Sequence, residues 1–149
     1  MKKGFTFVEI MVVVGIMALL VGISIPNLLR SRLVANEQSA VSNIQTISIA
    51  AQTYLSVDNN LPTTLAQLYG ERYIDVTLGC AAPPCIKNGY KYYMGGTGLD
   101  TDFFVYTIPQ TPAVTGVRSF CSDSDGRVRV STSGATPANR AACFAWTAL

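Results

Sequence analysis

The chain has 149 residues, enough for one domain with a single core, and a formal charge of +2. That charge is carried by Lys2 and Lys3: without them nine basic residues face nine acidic ones. A neutral body gives no electrostatic case for nucleic acid, and the lack of any histidine removes the usual general base and the commonest zinc ligand.

The first element is apolar. Phe5 to Ile25 is almost entirely hydrophobic or small, interrupted by Glu9. As a helix it spans about 31 Å at ~1.5 Å per residue, the thickness of a bilayer core. A cleaved secretory signal has a shorter apolar region and an A-x-A-like site, which this segment lacks. Lys2 and Lys3 favour a cytoplasmic amino terminus, although Arg30 and Arg32 on the far side weaken that vote. A carboxylate inside such a span costs up to ~3 kcal/mol near the centre and needs a partner. Lys2 and Lys3 are the only nearby cations, so the sequence predicts a partner outside the helix. Cleavage between Gly4 and Phe5 would create one. The new amine of one chain could meet Glu9 of a neighbour in a bundle of staggered identical helices, where a buried charge fixes register.

The residues Lys2-Lys3-Gly4 followed by Phe-Thr-Phe-Val-Glu-Ile, with Pro26 ending the apolar run, resemble the processing signature of type IV pilins and the pseudopilins of type II secretion. Phe7 stands where Leu is usual in that family. The resemblance implies a leader at 1–4, cleavage after Gly4 by a prepilin peptidase, and N-methylation of Phe5 by the same enzyme. It also implies an assembly contact through Glu9, an assembly ATPase and an inner-membrane platform protein.

From 27 onward, Leu29, Leu33, Val41, Ile44, Ile47, Ala51, Tyr54 and Leu55 recur at helical spacing, with a gap around Glu37. Asn36, Gln38, Asn43 and Gln45 make the polar face. One long helix is expected from Phe5 to about Val57, stopped by Asp58-Asn59-Asn60. Gly15, Gly22 and Pro26 weaken its first half, and a local melt between Gly15 and Pro26, with Pro26 as the helix break, is expected in an assembled state. Pro62 leads into a short amphipathic turn with Leu65 and Leu68, closed by Gly70. The stretch from Leu78 to Gly89 reads as loop because of Pro83-Pro84.

Beyond Gly89 the pattern turns to alternation and to aromatic or β-branched residues. Four strands are predicted, in Tyr90–Met94, Phe103–Pro109, Gly116–Asp123 and Gly126–Ser133, with Asp125-Gly126 as a hairpin turn. Val128 and Val130 face one way and Arg127 and Arg129 the other, which predicts one buried sheet face covered by the long helix. The tail from Gly134 reads as loop. Four cysteines in an exported chain predict disulfides, with three possible pairings. Proximity in sequence favours Cys80–Cys85 and Cys121–Cys143, and no CxxC spacing supports zinc. A disulfide-closed C-terminal loop resembles that of type IV pilins.

No enzyme chemistry assembles. Asp123 and Asp125 have the spacing that opens a calcium loop. That pattern also needs a third oxygen ligand and a distal Glu, and no Glu follows Glu71, so a hairpin turn is preferred. Asp100 and Asp102 read as loop caps rather than an acid–base pair. Tyr90, Tyr92, Tyr93 and Tyr106 read as half-buried sheet residues rather than an adhesive surface. No catalytic residue, metal or cofactor is expected.

The expected fold is α+β and type IV pilin-like. Residues 5–26 form the membrane and filament-core half of the helix, and 27–149 form the soluble domain with a four-stranded antiparallel sheet. The chain is expected to sit in the inner membrane as a single-pass precursor in contact with lipid, then to polymerise with itself into a cell-surface or periplasm-spanning filament. The C-terminal cysteine pair, and the lack of the Asp-Pro-Trp-Gly-like calcium-loop stretch usual in the major pseudopilin, favour a type IV pilus serving adhesion, motility or DNA uptake. The alternatives are a type II secretion pseudopilin and a membrane-anchored extracytoplasmic binding module.

Overall fold

The computed structural model describes residues 4–95 and 102–149; Lys2, Lys3 and Asp100 lie outside the described residues. The chain divides into two compact units, Met1–Arg32 and Leu33–Leu149. Helix α1, Phe7–Asp58, contributes to both. Asn59 then takes a left-handed φ of 53°, which ends the helix.

In the first unit every described residue is exposed. Pro26 lies inside α1, so the single chain carries no break there. Proline cannot donate to the carbonyl one turn earlier. The neighbouring Ser24 hydroxyl donates to the Leu20 carbonyl at 2.8 Å.

In the second unit Ala40, Ile44, Ile47 and Ala51 form a fully buried stripe on α1 at spacings of four, three and four. Leu29 is 59% exposed and is not part of it. Helix α2, Leu65–Gly70, begins with a capping box between Thr64 and Gln67 and adds Leu65 and Leu68 to the core.

The sheet has six antiparallel strands in sequence order, a correction to the expected four: β1 Cys85–Lys87, β2 Tyr90–Gly95, β3 Phe104–Pro109, β4 Ser119–Asp123, β5 Val128–Ser131 and β6 Thr147–Ala148. The two added strands are short edges. β1 is three residues long and joins β2 through Asn88 and Gly89, both at positive φ, a turn suited to a tight hairpin. β6 is two residues long and sits in a tail whose composition carries no strand signal. That tail, expected as loop, also contains helix α3, Arg140–Phe144, capped by the Asn139 side chain.

Register explains the two faces. Cys85, Tyr92, Thr107, Phe120, Val130 and Thr147 are successive partners across the sheet. Tyr92, Thr107 and Phe120 in this row are fully buried, and Tyr92 and Phe120 belong to the core that includes the α1 stripe. The adjacent row, Tyr93, Tyr106, Cys121, Arg129 and Ala148, belongs to the opposite face. Half of that second face is also buried, because Cys143 bonds Cys121 and Phe144 lies against Arg129. Hence every residue of β4 is buried, and Arg129, expected outward in solvent, is only 9% exposed.

Candidate functional site: the N-terminal apolar segment

Gly4, Phe5 and Thr6 precede the helix and are exposed, so the Gly4–Phe5 bond lies in non-helical, accessible chain. A Cβ at Gly4 would meet nothing within 4 Å. The fold itself therefore makes no demand for glycine at this position.

From Phe7 the helix presents apolar side chains all round: Phe7 is 77% exposed, Leu19 72% and Ile23 68%. A helix hydrophobic on every face is built for lipid or for other helices. Its most apolar 18-residue window has a mean hydropathy of 2.6 and is entirely unburied. Gly15 and Gly22 also have empty space where a Cβ would stand, so no contact within the chain accounts for them.

Glu9 sits in the first turn of this helix. Its Oε2 accepts hydrogen bonds from the Thr6 N–H and the Thr6 hydroxyl, each at 3.0 Å, and the Glu9 N–H donates back to the Thr6 Oγ1 at 3.3 Å. This is a reciprocal capping box. It corrects the expectation that Glu9 lacks any partner in its own helix. The sequence signal was present: Thr-x-x-Glu ahead of an apolar run. The carboxylate still has no cationic partner among the described residues.

A second acidic residue, Glu37, was missed as a functional position. It lies one turn before Ala40 on the buried stripe and is only 6% exposed. Its Oε1 accepts from the N–H groups of Val117 and Arg118 at 3.0 and 3.2 Å, and its Oε2 from Arg118 Nε at 2.7 Å. Burial by itself pushes this carboxyl up. The Val117 and Arg118 bonds and the guanidinium charge outweigh it and hold Glu37 below the usual carboxylate range. The pair fastens α1 to the loop between β3 and β4, helped by Asn36, whose amide donates to the Thr115 carbonyl at 3.1 Å.

The disulfides join Cys80 to Cys85 and Cys121 to Cys143. Asp123 Oδ1 accepts from the Asp125 N–H and the Asp123 carbonyl from the Gly126 N–H, which makes the hairpin turn between β4 and β5. Asp102 accepts a hydrogen bond from the Ser124 hydroxyl at 2.9 Å. It pairs with Arg140 in the tail at 2.8 Å. Tyr90 and Tyr92 are fully buried rather than half-buried, whereas Tyr93 and Tyr106 stack at 4.9 Å on the opposite face. Among the described residues no cluster of three or more His, Cys, Asp or Glu side chains exists.

Residues 1–25 match the prokaryotic N-terminal methylation motif. The type II secretion system core protein G of Aeromonas hydrophila is 38% identical over 111 residues, 74% of this chain and 67% of that protein. The core protein G of Klebsiella michiganensis is 29% identical over 111 residues, covering 74% of this chain and 68% of the relative. The competence protein ComGC of Halalkalibacterium halodurans is 28% identical over 76 residues, 51% of this chain and 74% of that protein. The chain belongs to the family of pilin-like proteins with a prepilin-type methylation motif that includes the type II secretion system core protein G.

Proposed function

We propose that this chain is the repeating subunit of a type II secretion pseudopilus, a structural protein that acts by polymerising. The observation that carries this reading is the 38% identity with a core protein G over 111 residues, which extends well beyond the N-terminal motif. It displaces the pilus as the leading function.

The physical course follows from the N-terminal segment. The precursor is held in the inner membrane by the apolar helix. A prepilin peptidase cuts after Gly4 and methylates Phe5, leaving residues 5–26 as filament core and 27–149 as the outer domain. In lipid the hydrophobic term between helices vanishes, so packing and charge pairing must favour the polymer. Glu9 supplies the charge and the Phe5 amine of a neighbouring chain its partner. The empty space at Gly15 and Gly22 lets neighbouring helices approach closely. The break ending at Pro26 would form on assembly, where neighbours can satisfy freed backbone groups. An assembly ATPase and a platform protein supply the work of extraction from the membrane.

A pilus subunit is the second reading, favoured by the disulfide that closes the C-terminal segment. Deleting the gene and assaying both outputs separates the two. Loss of folded exoproteins from the medium with surface filaments intact supports the pseudopilus. Normal secretion with loss of surface filaments overturns it.

A further inference from the structure

A cluster of charged side chains lies where the C-terminal segment meets β4 and β5. Arg140 Nη1 is 2.8 Å from Asp102 Oδ2. Ser124 Oγ donates to Asp102 Oδ1 at 2.9 Å and accepts from Arg140 Nη2 at 3.4 Å. Arg129 Nη2 is 3.9 Å from Asp123 Oδ2, and Asp123 is fully buried. The Phe144 ring receives both guanidiniums, Arg129 at 4.1 Å and Arg140 at 4.9 Å from its centre. The Cys121–Cys143 bond closes the same region covalently.

The major pseudopilins that this chain resembles usually hold calcium in a loop. The residues here do not fit that ion. Calcium takes six to eight oxygens at ~2.3–2.6 Å and prefers several carboxylates. Asp102 and Asp123, the carboxylates of this cluster among the described residues, each already face a guanidinium. A dication brought to either would meet a fixed positive charge within a few ångströms, a repulsion strengthened by burial. Arg129 cannot easily withdraw, because its side chain is 11% exposed and lies against Phe144.

We propose that in this chain two guanidiniums and a disulfide take the place of a structural calcium ion: Arg140 bridges Asp102 and Ser124, Arg129 neutralises Asp123, and Cys121–Cys143 fastens the segment to β4. Closure of the C-terminal segment is then independent of calcium and dependent on oxidation and on Arg140. These contacts all lie within Leu33–Leu149, so the proposal stands for a pseudopilus or a pilus alike. Asp123 Oδ2 is buried without a hydrogen-bond donor, the one carboxylate oxygen of the cluster in that state among the described residues, and calcium is therefore the decisive titrant.

The test uses the full chain in detergent micelles, with unfolding followed by circular dichroism in excess EGTA and in millimolar calcium, and calcium binding measured by equilibrium dialysis. The expected result is one unfolding midpoint in both media and no retained calcium. Arg140→Gln should lower the midpoint by about 2–4 °C in EGTA and in calcium alike, and reduction should lower it further. A midpoint that rises saturably with calcium, or retained calcium in dialysis, overturns the proposal. An unchanged midpoint for Arg140→Gln removes the guanidinium from it. If that variant does not fold, dialysis and the EGTA comparison on the unmodified chain still decide.

Discussion

The Glu9 carboxylate and Thr6 of the same chain satisfy each other: Thr6 donates through its N–H and its hydroxyl at 3.0 Å, and its Oγ1 accepts the Glu9 N–H. The helix start is thus capped within the chain itself. Dipolar donors lessen the desolvation of a carboxylate near lipid, but they leave its charge uncompensated. Glu9 is therefore held by Thr6 while its charge stays without a cation among the described residues.

Two variants separate these roles. Thr6→Ala should fray the first turn and slow assembly while leaving the filament competent. Glu9→Ala should abolish polymer recovered from membranes, with the Leu33–Leu149 domain folded as before, read by its circular dichroism. Wild-type polymer yield in Glu9→Ala would show that the charge has no part in assembly.

The Glu37–Arg118 contact gives a pH dependence with a definite sign. Glu37 is held below its ordinary value in the folded chain. Its stabilisation is full above the unfolded carboxylate value of about 4.3 and is lost as pH falls through the lower folded value. Arg118→Ala should destabilise the domain by about 2 kcal/mol, because a buried carboxylate keeps its two backbone donors but loses its cation. Denaturant titrations across the acid range should show wild type losing its advantage over this variant as pH drops. A constant difference down to strong acid would contradict the assignment.

Reduction offers a second perturbation. The Cys121–Cys143 bond has a sequence separation of 22. On the chain-entropy account it contributes roughly 3 kcal/mol. The double substitution Cys121→Ser with Cys143→Ser should lower stability by that order in chemical denaturation. The Cys80–Cys85 bond spans only five residues and should contribute less. Equal losses from the two would contradict this ranking.

Gly116 lies against the fully buried Tyr90 ring, whose hydroxyl donates to the Arg118 carbonyl at 2.9 Å. A Cβ at 116 would overlap the ring, so Gly116→Ala should cost about 1–3 kcal/mol as Tyr90 shifts. Gly70→Ala is the control, since a Cβ there meets nothing within 4 Å, and it should be neutral or slightly stabilising. Thermal unfolding of the two variants side by side checks the pair.

The second half of the helix, the α2 turn and strands β2 and β3 are legible in the sequence by periodicity, because each pairs a buried face with a more exposed one; β4 and β5 show through their β-branched and aromatic residues and the Asp125-Gly126 turn, although every residue of β4 is buried. The short edges are not. Three residues after Pro83-Pro84 and two after Trp146 carry no alternation to read. Asn88-Gly89 was the available clue to the first hairpin. The charged groups escape for another reason. Glu37 falls on the stripe by spacing, yet an acidic residue there reads as a gap until Arg118 arrives from 81 residues away. Arg129 alternates outward as expected, but only the tertiary fold brings Phe144 over it. The Thr6–Glu9 box is local and readable, but a carboxylate in a membrane-length run draws attention to its charge rather than to its cap.

Whether Glu9 has an amine to meet is decided by the intact mass of the chain extracted from membranes of its own host. The expected mass is that of a polypeptide beginning at Phe5 and carrying one added methyl group. A mass that begins at Met1, or at a residue after Ser24, would contradict assembly through Glu9 and leave the exposed helix as a plain anchor or a cleaved signal.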